Sequence, residues 1–164
     1  MIQIRTIQPH ETDEAKYVIF KVAYKVFKEA STLEESIAKY SAQGTLRDLD
    51  DIPKNYFENG GTFLVAVDDG RIIGTGAIRF LEKDVCELKR MWLLTEYHGQ
   101  GLGYRMTQEL FSIAREKGYK LMRLETDRIF QAQAVAFYTK LGFYEIPHYE
   151  GDDPEDMAME IYLA

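Results

Sequence analysis

Apolar and polar positions alternate from the first residues, where Ile2, Ile4 and Thr6 are separated by polar neighbours and predict a short strand. The period then changes. Between Glu11 and Lys28, Ala15, Ile19, Val22, Ala23, Val26 and Phe27 recur near helical spacing with lysines between them, which predicts an amphipathic helix. Thr32, with Glu35 three residues on, has the form of a capping box and starts a second helix reaching about Ser41. The stretch Gly44 to Gly61 is polar, carries Asp48-Leu-Asp50-Asp51 and Pro53, and reads as an irregular connection.

Two β-rich runs follow, Thr62 to Val67 and Arg71 to Phe80, joined by Asp68-Asp69-Gly70, a hairpin signal. Gly74 and Gly76 inside the second run predict a bend or a close backbone approach. Val85 to Leu94 is a further strand, and it leads through the cluster His98-Gly-Gln-Gly-Leu-Gly103 into a helix. Leu102, Met106, Leu110, Ile113 and Ala114 share one face of that helix, and Gly118 stops it. Lys120 to Thr126 reads as a strand, Ala132 to Lys140 as a helix ended by Gly142, and Phe143 to His148 and Met157 to Leu163 as closing strands. The order βααβββαβαββ predicts an α/β chain with a mixed sheet and helices on both faces.

Length changes the picture little: 164 residues suit one domain spanning 1–164, and 46% apolar with 29% charged residues is ordinary globular usage. Charge changes it more. Twenty bases against 27 acids give a net −7, which argues against nucleic acid or an anionic membrane as partner. From Glu150 onward stand Glu150, Asp152, Asp153, Glu155, Asp156 and Glu160 without a base, so the remainder of the chain is nearly neutral. Cys86 is the lone cysteine and lies in an apolar run, which suits a small buried hydrophobe. His10, His98 and His148 lack ligand spacing, so no metal site is expected. Without a signal-type start or an apolar run near the roughly 20 residues that cross a bilayer, a cytoplasmic protein is the expectation.

A strand that runs into closely spaced glycines and then a helix makes either an anion site, because the free N–H groups of the first helical turn point outward, or a tight turn that needs glycine only for its geometry. The chain has no Gly-Lys-Ser/Thr, and its Gly-x-Gly-x-Gly spacing fits a dinucleotide fingerprint poorly. A diphosphate held by backbone amides remains. The stretch from Glu87 to Gly103 resembles the acyl-CoA motif of the GNAT acyltransferase superfamily, Arg/Gln-x-x-Gly-x-Gly/Ala after a strand. The run Ala134-Val-Ala-Phe-Tyr138-Thr-Lys-Leu-Gly-Phe143 is similar to that family's Ala-x-x-x-Tyr-x-Lys-x-Gly-Phe helix end.

The resemblance implies a central twisted mixed sheet of about seven strands and an acetyl-CoA cosubstrate. It implies that Met91 and Leu93 offer backbone groups to the pantetheine arm, with the Leu93 N–H polarising the thioester carbonyl. His98, Gly99, Gln100, Gly101, Leu102, Gly103 and Tyr104 would surround the pyrophosphate, Gln131 would bond the pantetheine, and Tyr138 would stand beside the thioester sulfur. His98 departs from the usual Arg or Gln, Thr95 from a frequent Pro, and Gln131 from Asn.

Acyl transfer to an amine needs a neutral nitrogen, yet an alkyl amine has a pKa near about 10.4, so a carboxylate base is useful. Glu87, eleven residues before His98, is the first candidate and Glu125 the second; either would otherwise form an ion pair with Lys89, Arg90, Arg123 or Arg128. Tyr138 is the candidate acid, or else a ring packed beside Phe137 and Phe143. The expected function is N-acetyl transfer to a primary amine of a small molecule or peptide. The alternatives are an acyl-CoA-binding sensor without turnover and a nucleotide-binding domain. Asp152, Asp153, Glu155 and Asp156, in the turn between the last strands, are expected to attract a cationic acceptor. Exposed edge strands make a homodimer an expectation too.

Overall fold

Asp69 and Gly70 both take left-handed backbone (φ +51° and +80°), the conformation that a two-residue turn between twisted antiparallel strands requires. They join β2 (Thr62–Asp68) to β3 (Arg71–Glu82) in a computed structural model that describes residues 1–28 and 30–164. Among these residues seven strands form one sheet in the order β1-β2-β3-β4-β5-β7-β6. The others are β1 (Ile2–Thr6), β4 (Val85–Leu93), β5 (Leu121–Asp127), β6 (Tyr144–Ile146) and β7 (Asp156–Tyr162). Every pairing is antiparallel except that of β4 with β5. The expected element order is observed, and the final strand lies between β5 and β6.

Among the described residues four α-helices cover the sheet. On one face α1 (Thr12–Phe27) and α2 (Leu33–Gln43) pack over a cluster that includes Ile19, Phe63, Val65 and Ala77. On the other, α3 (Leu102–Glu116) and α4 (Ala132–Leu141) pack over Leu88, Leu110, Met122 and Met159. Thr32 caps α2 as its sequence predicts, accepting from the Glu35 N–H at 3.1 Å, while the Glu35 carboxylate reaches back to the Ser31 N–H at 3.2 Å.

The connection expected to be irregular, Gly44 to Gly61, is built instead of a 3₁₀ turn (Arg47–Asp51) and a π-type turn (Pro53–Phe57). Leu49, Ile52 and Tyr56 insert from it into the core beneath α1, and the Tyr56 ring meets Phe63 edge-on. With Leu46, also buried, these anchors are spaced three, three and four residues apart, a helical period that the polar composition of the stretch masked, and they bury one face of the two short turns.

Candidate functional site

The site begins with a defect in β4. Thr75 pairs with Trp92 and Ala77 with Lys89, so β4 spends one more residue than β3 over this span. Arg90, inside the bulge, has φ +55°, a left-handed conformation that costs a side-chain-bearing residue energy. Neighbours hold it there. Its guanidinium grips Asp48 through two bonds (Nη2–Oδ1 2.6 Å, Nε–Oδ2 3.0 Å) and donates to the Thr45 carbonyl at 3.0 Å. The Thr75 hydroxyl donates to the Arg90 carbonyl at 2.6 Å, and the Tyr56 hydroxyl donates to Asp48. Burial would raise the Asp48 carboxyl, but Arg90 overrides it and leaves the group below its usual range.

The parallel pairing of β4 with β5 runs only from Val85–Leu121 to Glu87–Arg123. Beyond it the two strands part. Burial along β4 is complete through Leu88 and partial afterwards, as a strand losing its neighbour must be. Two cavities occupy the gap.

The larger, about 460 Å³, is walled by the end of β4 at Met91, Trp92 and Leu93, by the glycine loop, and by Ala134, Phe137 and Tyr138 of α4. Val22 and Val26 of α1 close its far side, and Phe130 stands at its edge, in contact with Phe27 (ring centroids 5.8 Å apart). Close approach explains the strand glycines: a Cβ on Gly76 would stand 2.7 Å from the Met91 sulfur, and one on Gly74 2.9 Å from Leu93 Cδ1. Gly99 and Gly101 differ. Both are left-handed (φ +80° and +77°), and a Cβ on either would meet nothing. They serve the turn and leave the loop surface bare.

No side chain caps α3, so the N–H groups of its first turn, at Leu102, Gly103 and Tyr104, are left for a ligand. A bare loop beside uncapped amides suits a diphosphate. His98, Gly99, Gly101, Leu102, Gly103 and Tyr104 all line the cavity, whereas Gln100 is exposed outside it. His98 Nε2 lies 3.0 Å from the Leu93 carbonyl and donates to it, tying the loop to the strand end. Gln131 lines the cavity, but its carbonyl already accepts from the Thr126 hydroxyl (3.0 Å) and the Asp127 N–H (3.1 Å), which leaves its NH₂ end for a ligand.

The second cavity, about 170 Å³, lies between β4 and β5 and shares Met91, Trp92, Gln131, Ala134 and Tyr138 with the first. Tyr138 is 8% exposed, its ring flanked edge-on by Phe137 and Phe143, each at 5.4 Å. Burial holds its phenol well above the ordinary range, so it keeps its proton. The packing and the position at the junction occur together.

Glu87 and Glu125 both reach this second cavity, in different states. Glu87 is 1% exposed and fully engaged. Arg79, its partner across β3, donates at 2.9 and 3.0 Å, and the Tyr149 hydroxyl donates at 2.7 Å from the loop before β7. None of the four bases expected to pair with it does so. Glu125 Oε1 is buried without a hydrogen-bond partner among the described residues. Desolvation, followed by the charges of Glu150, Glu87 and Asp156, raises its carboxyl above the usual range. Lys89 and Glu150 complete the lining. Asp152, Asp153, Glu155 and Asp156 do not reach it, and the first three are exposed.

Sequence alone assigns no individual role to Arg79, Asp48, Tyr149 or Glu150, although the last three fall in the segments, Phe27 to Asp51 and roughly Tyr149 to Asp156, that the family resemblance assigns to acceptor specificity. No local signal marked Arg79, because regular pairing from the hairpin turn puts Phe80 opposite Glu87.

Fold and site together define the class: a mixed sheet splayed at its one parallel pair beside a glycine loop that opens a helix. Comparison with known proteins agrees. Residues 25–143 match the Acetyltransferase (GNAT) family. The chain is 35% identical over 104 residues to the uncharacterised N-acetyltransferase YjgM of Escherichia coli (strain K12), covering 62% of each. It is 30% identical over 115 residues to the probable N-acetyltransferase family 8 member 5 of Mus musculus, covering 67% of this chain and 50% of that one. The chain spans less than two thirds of the length of these curated relatives. An acetyltransferase of the GNAT family from Staphylococcus aureus Mu50 superposes with TM-score 0.83 at 20% identity over the whole of both chains. The PaiA N-acetyltransferase of Thermoplasma acidophilum, in complex with coenzyme A, superposes with TM-score 0.77 at 23% identity over 99% of both. This chain belongs to the Acetyltransferase (GNAT) family.

Proposed function

We propose that this chain is an N-acetyltransferase that moves an acetyl group from acetyl-CoA to a primary amine. One observation carries the reading: two cavities meet at Tyr138, one bounded by bare glycines and uncapped amides, the other by carboxylates. The first suits a diphosphate followed by an apolar arm, and the second suits an amine that must lose a proton.

In this reading the loop from His98 to Tyr104 holds the diphosphate, and Met91, Leu93 and Gln131 align the arm. Glu125 takes the proton. It is the carboxylate with a free oxygen, whereas Glu87 has its oxygens committed to Arg79 and Tyr149. The order of preference drawn from sequence is therefore reversed, and Glu87 becomes a positioning residue that anchors the Tyr149 loop. The amine nitrogen bonds to the acyl carbon, the carbon–sulfur bond breaks, and the departing sulfur takes the Tyr138 proton, which the phenol regains through solvent as Glu125 gives up its own. A thiol with a pKa of about 8.5 is a fair leaving group, so the phenol assists rather than drives the step.

The test incubates the protein with acetyl-CoA and a panel of amines and reads free thiol. Amine-dependent thiol release is expected. Tight acetyl-CoA binding with no release from any amine would replace transfer by a sensor role, and ATP binding without CoA binding would overturn the assignment altogether.

A further inference from the structure

The smaller cavity carries both signs of charge, and not all of them are paired. Of its basic groups, Arg90 is committed to Asp48 by two bonds. Of its acidic groups, Glu87 is committed to Arg79 and Tyr149. Two groups stay unpaired across the gap: Lys89 on β4, which forms no ion pair among the described residues, and Glu125 on β5, with a buried free oxygen. Glu150 adds a second carboxylate on the Glu125 side, from the loop before β7.

From this we infer that the acceptor is a small amino acid, its carboxylate received by Lys89 and its amino group directed to Glu125 and Glu150. The inference rests on the transferase reading and names the substrate class of the same site. A simple amine would leave Lys89 without an ion-pair partner in a partly desolvated place, since the nearby Glu87 and Asp48 are committed to Arg79 and Arg90, which is costly. A diamine would add a second cation beside it. The burial that depresses Lys89 is the condition under which a ligand carboxylate gains most by pairing with it. About 170 Å³ is small beside the roughly 300–1,000 Å³ of drug-sized sites, which suits a compact acceptor.

The experiment compares each amino acid with the amine left when its carboxylate is removed, and with a diamine of similar length, on the wild type and on Lys89→Met. The amino acid is expected to show a KM about 10- to 100-fold below its decarboxylated partner. Lys89→Met should erase that difference by raising KM for the amino acid alone, and Lys89→Arg should restore part of it. Amines or diamines preferred by the wild type would overturn the inference, as would a loss of kcat for both substrate kinds in Lys89→Met. Calorimetric titration of the same amino acids into the protein with CoA present separates this from the transferase reading. Binding that is lost in Lys89→Met keeps the assignment even without turnover, whereas turnover of plain amines indifferent to Lys89 keeps transfer and removes the amino acid.

Discussion

At the scale of single residues the site depends on which polar atoms are already spoken for. Tyr138 carries its proton because burial disfavours the phenolate. Tyr138→Phe keeps the ring between Phe137 and Phe143 and removes only the proton, so kcat should fall about a hundredfold with acetyl-CoA affinity unchanged. An unaltered kcat would remove it as the acid. Glu125 must be ionised to act as base, and its carboxyl is held high by desolvation and by Glu150, Glu87 and Asp156, with Lys89 opposing them. The rate should therefore rise with pH along a limb displaced upward from that of an ordinary carboxylate. Glu150→Gln removes one of the charges that raise it and should move the limb down by about half a pH unit. A limb that stays in place when Glu150 is neutralised, but vanishes in Glu87→Gln, would return the base to Glu87. The Glu87–Arg79 pair shows why such details escape a sequence. Counting back from the Lys83-Asp84 turn puts Phe80 opposite Glu87, and an irregularity between Phe80 and Glu82 shifts the partner to Arg79.

At the scale of elements the decisive piece is the bulge in β4, fixed by a segment more than forty residues upstream in the chain. Strands, helices and the glycine loop were legible because each has its own period or punctuation. The bulge had none: Lys89-Arg90-Met91 reads as ordinary strand, and only the Asp48 and Thr45 contacts show why Arg90 tolerates its backbone. Asp48→Ala leaves a partly buried guanidinium without its counter-ion and should destabilise the fold by about 3 kcal/mol in urea titration. It should also raise the KM for acetyl-CoA, since Met91 and Leu93 follow the bulge directly. Tyr56→Phe, which removes one donor to Asp48 and keeps the pair, should cost far less. Equal losses in the two variants would mean that Asp48 acts through Tyr56 and not through Arg90.

At the scale of the molecule, the net −7 acquires a geography. The exposed Asp152, Asp153 and Glu155 lie on the loop before β7, and Glu150 alone of that run lines the cavity. Fold class and the glycine loop that opens α3 could be read from the chain because both are local patterns. The cavity between β4 and β5 could not, because Lys89, Glu125 and Glu150 come from three separate elements and meet only when β4 and β5 diverge.

That divergence starts just past Cys86, which is 0% exposed and pairs in register with Met122 on β5. Its thiol, pushed up to about 12 by burial, donates weakly to the Leu121 carbonyl at 3.7 Å. A thiol so placed is silent toward an alkylating reagent unless the parallel pair comes apart, which makes it a built-in clock for opening of the sheet. Labelling should be slow in the native protein, fast in denaturant, and slower still with acetyl-CoA present, because a ligand that bridges the open ends of the two strands resists their separation. Rapid labelling under native conditions would mean that β4 and β5 part far more readily than their buried flanks imply. The same silence leaves free CoA as the sole thiol seen in a turnover assay, so the chain measures its own chemistry without a background to subtract.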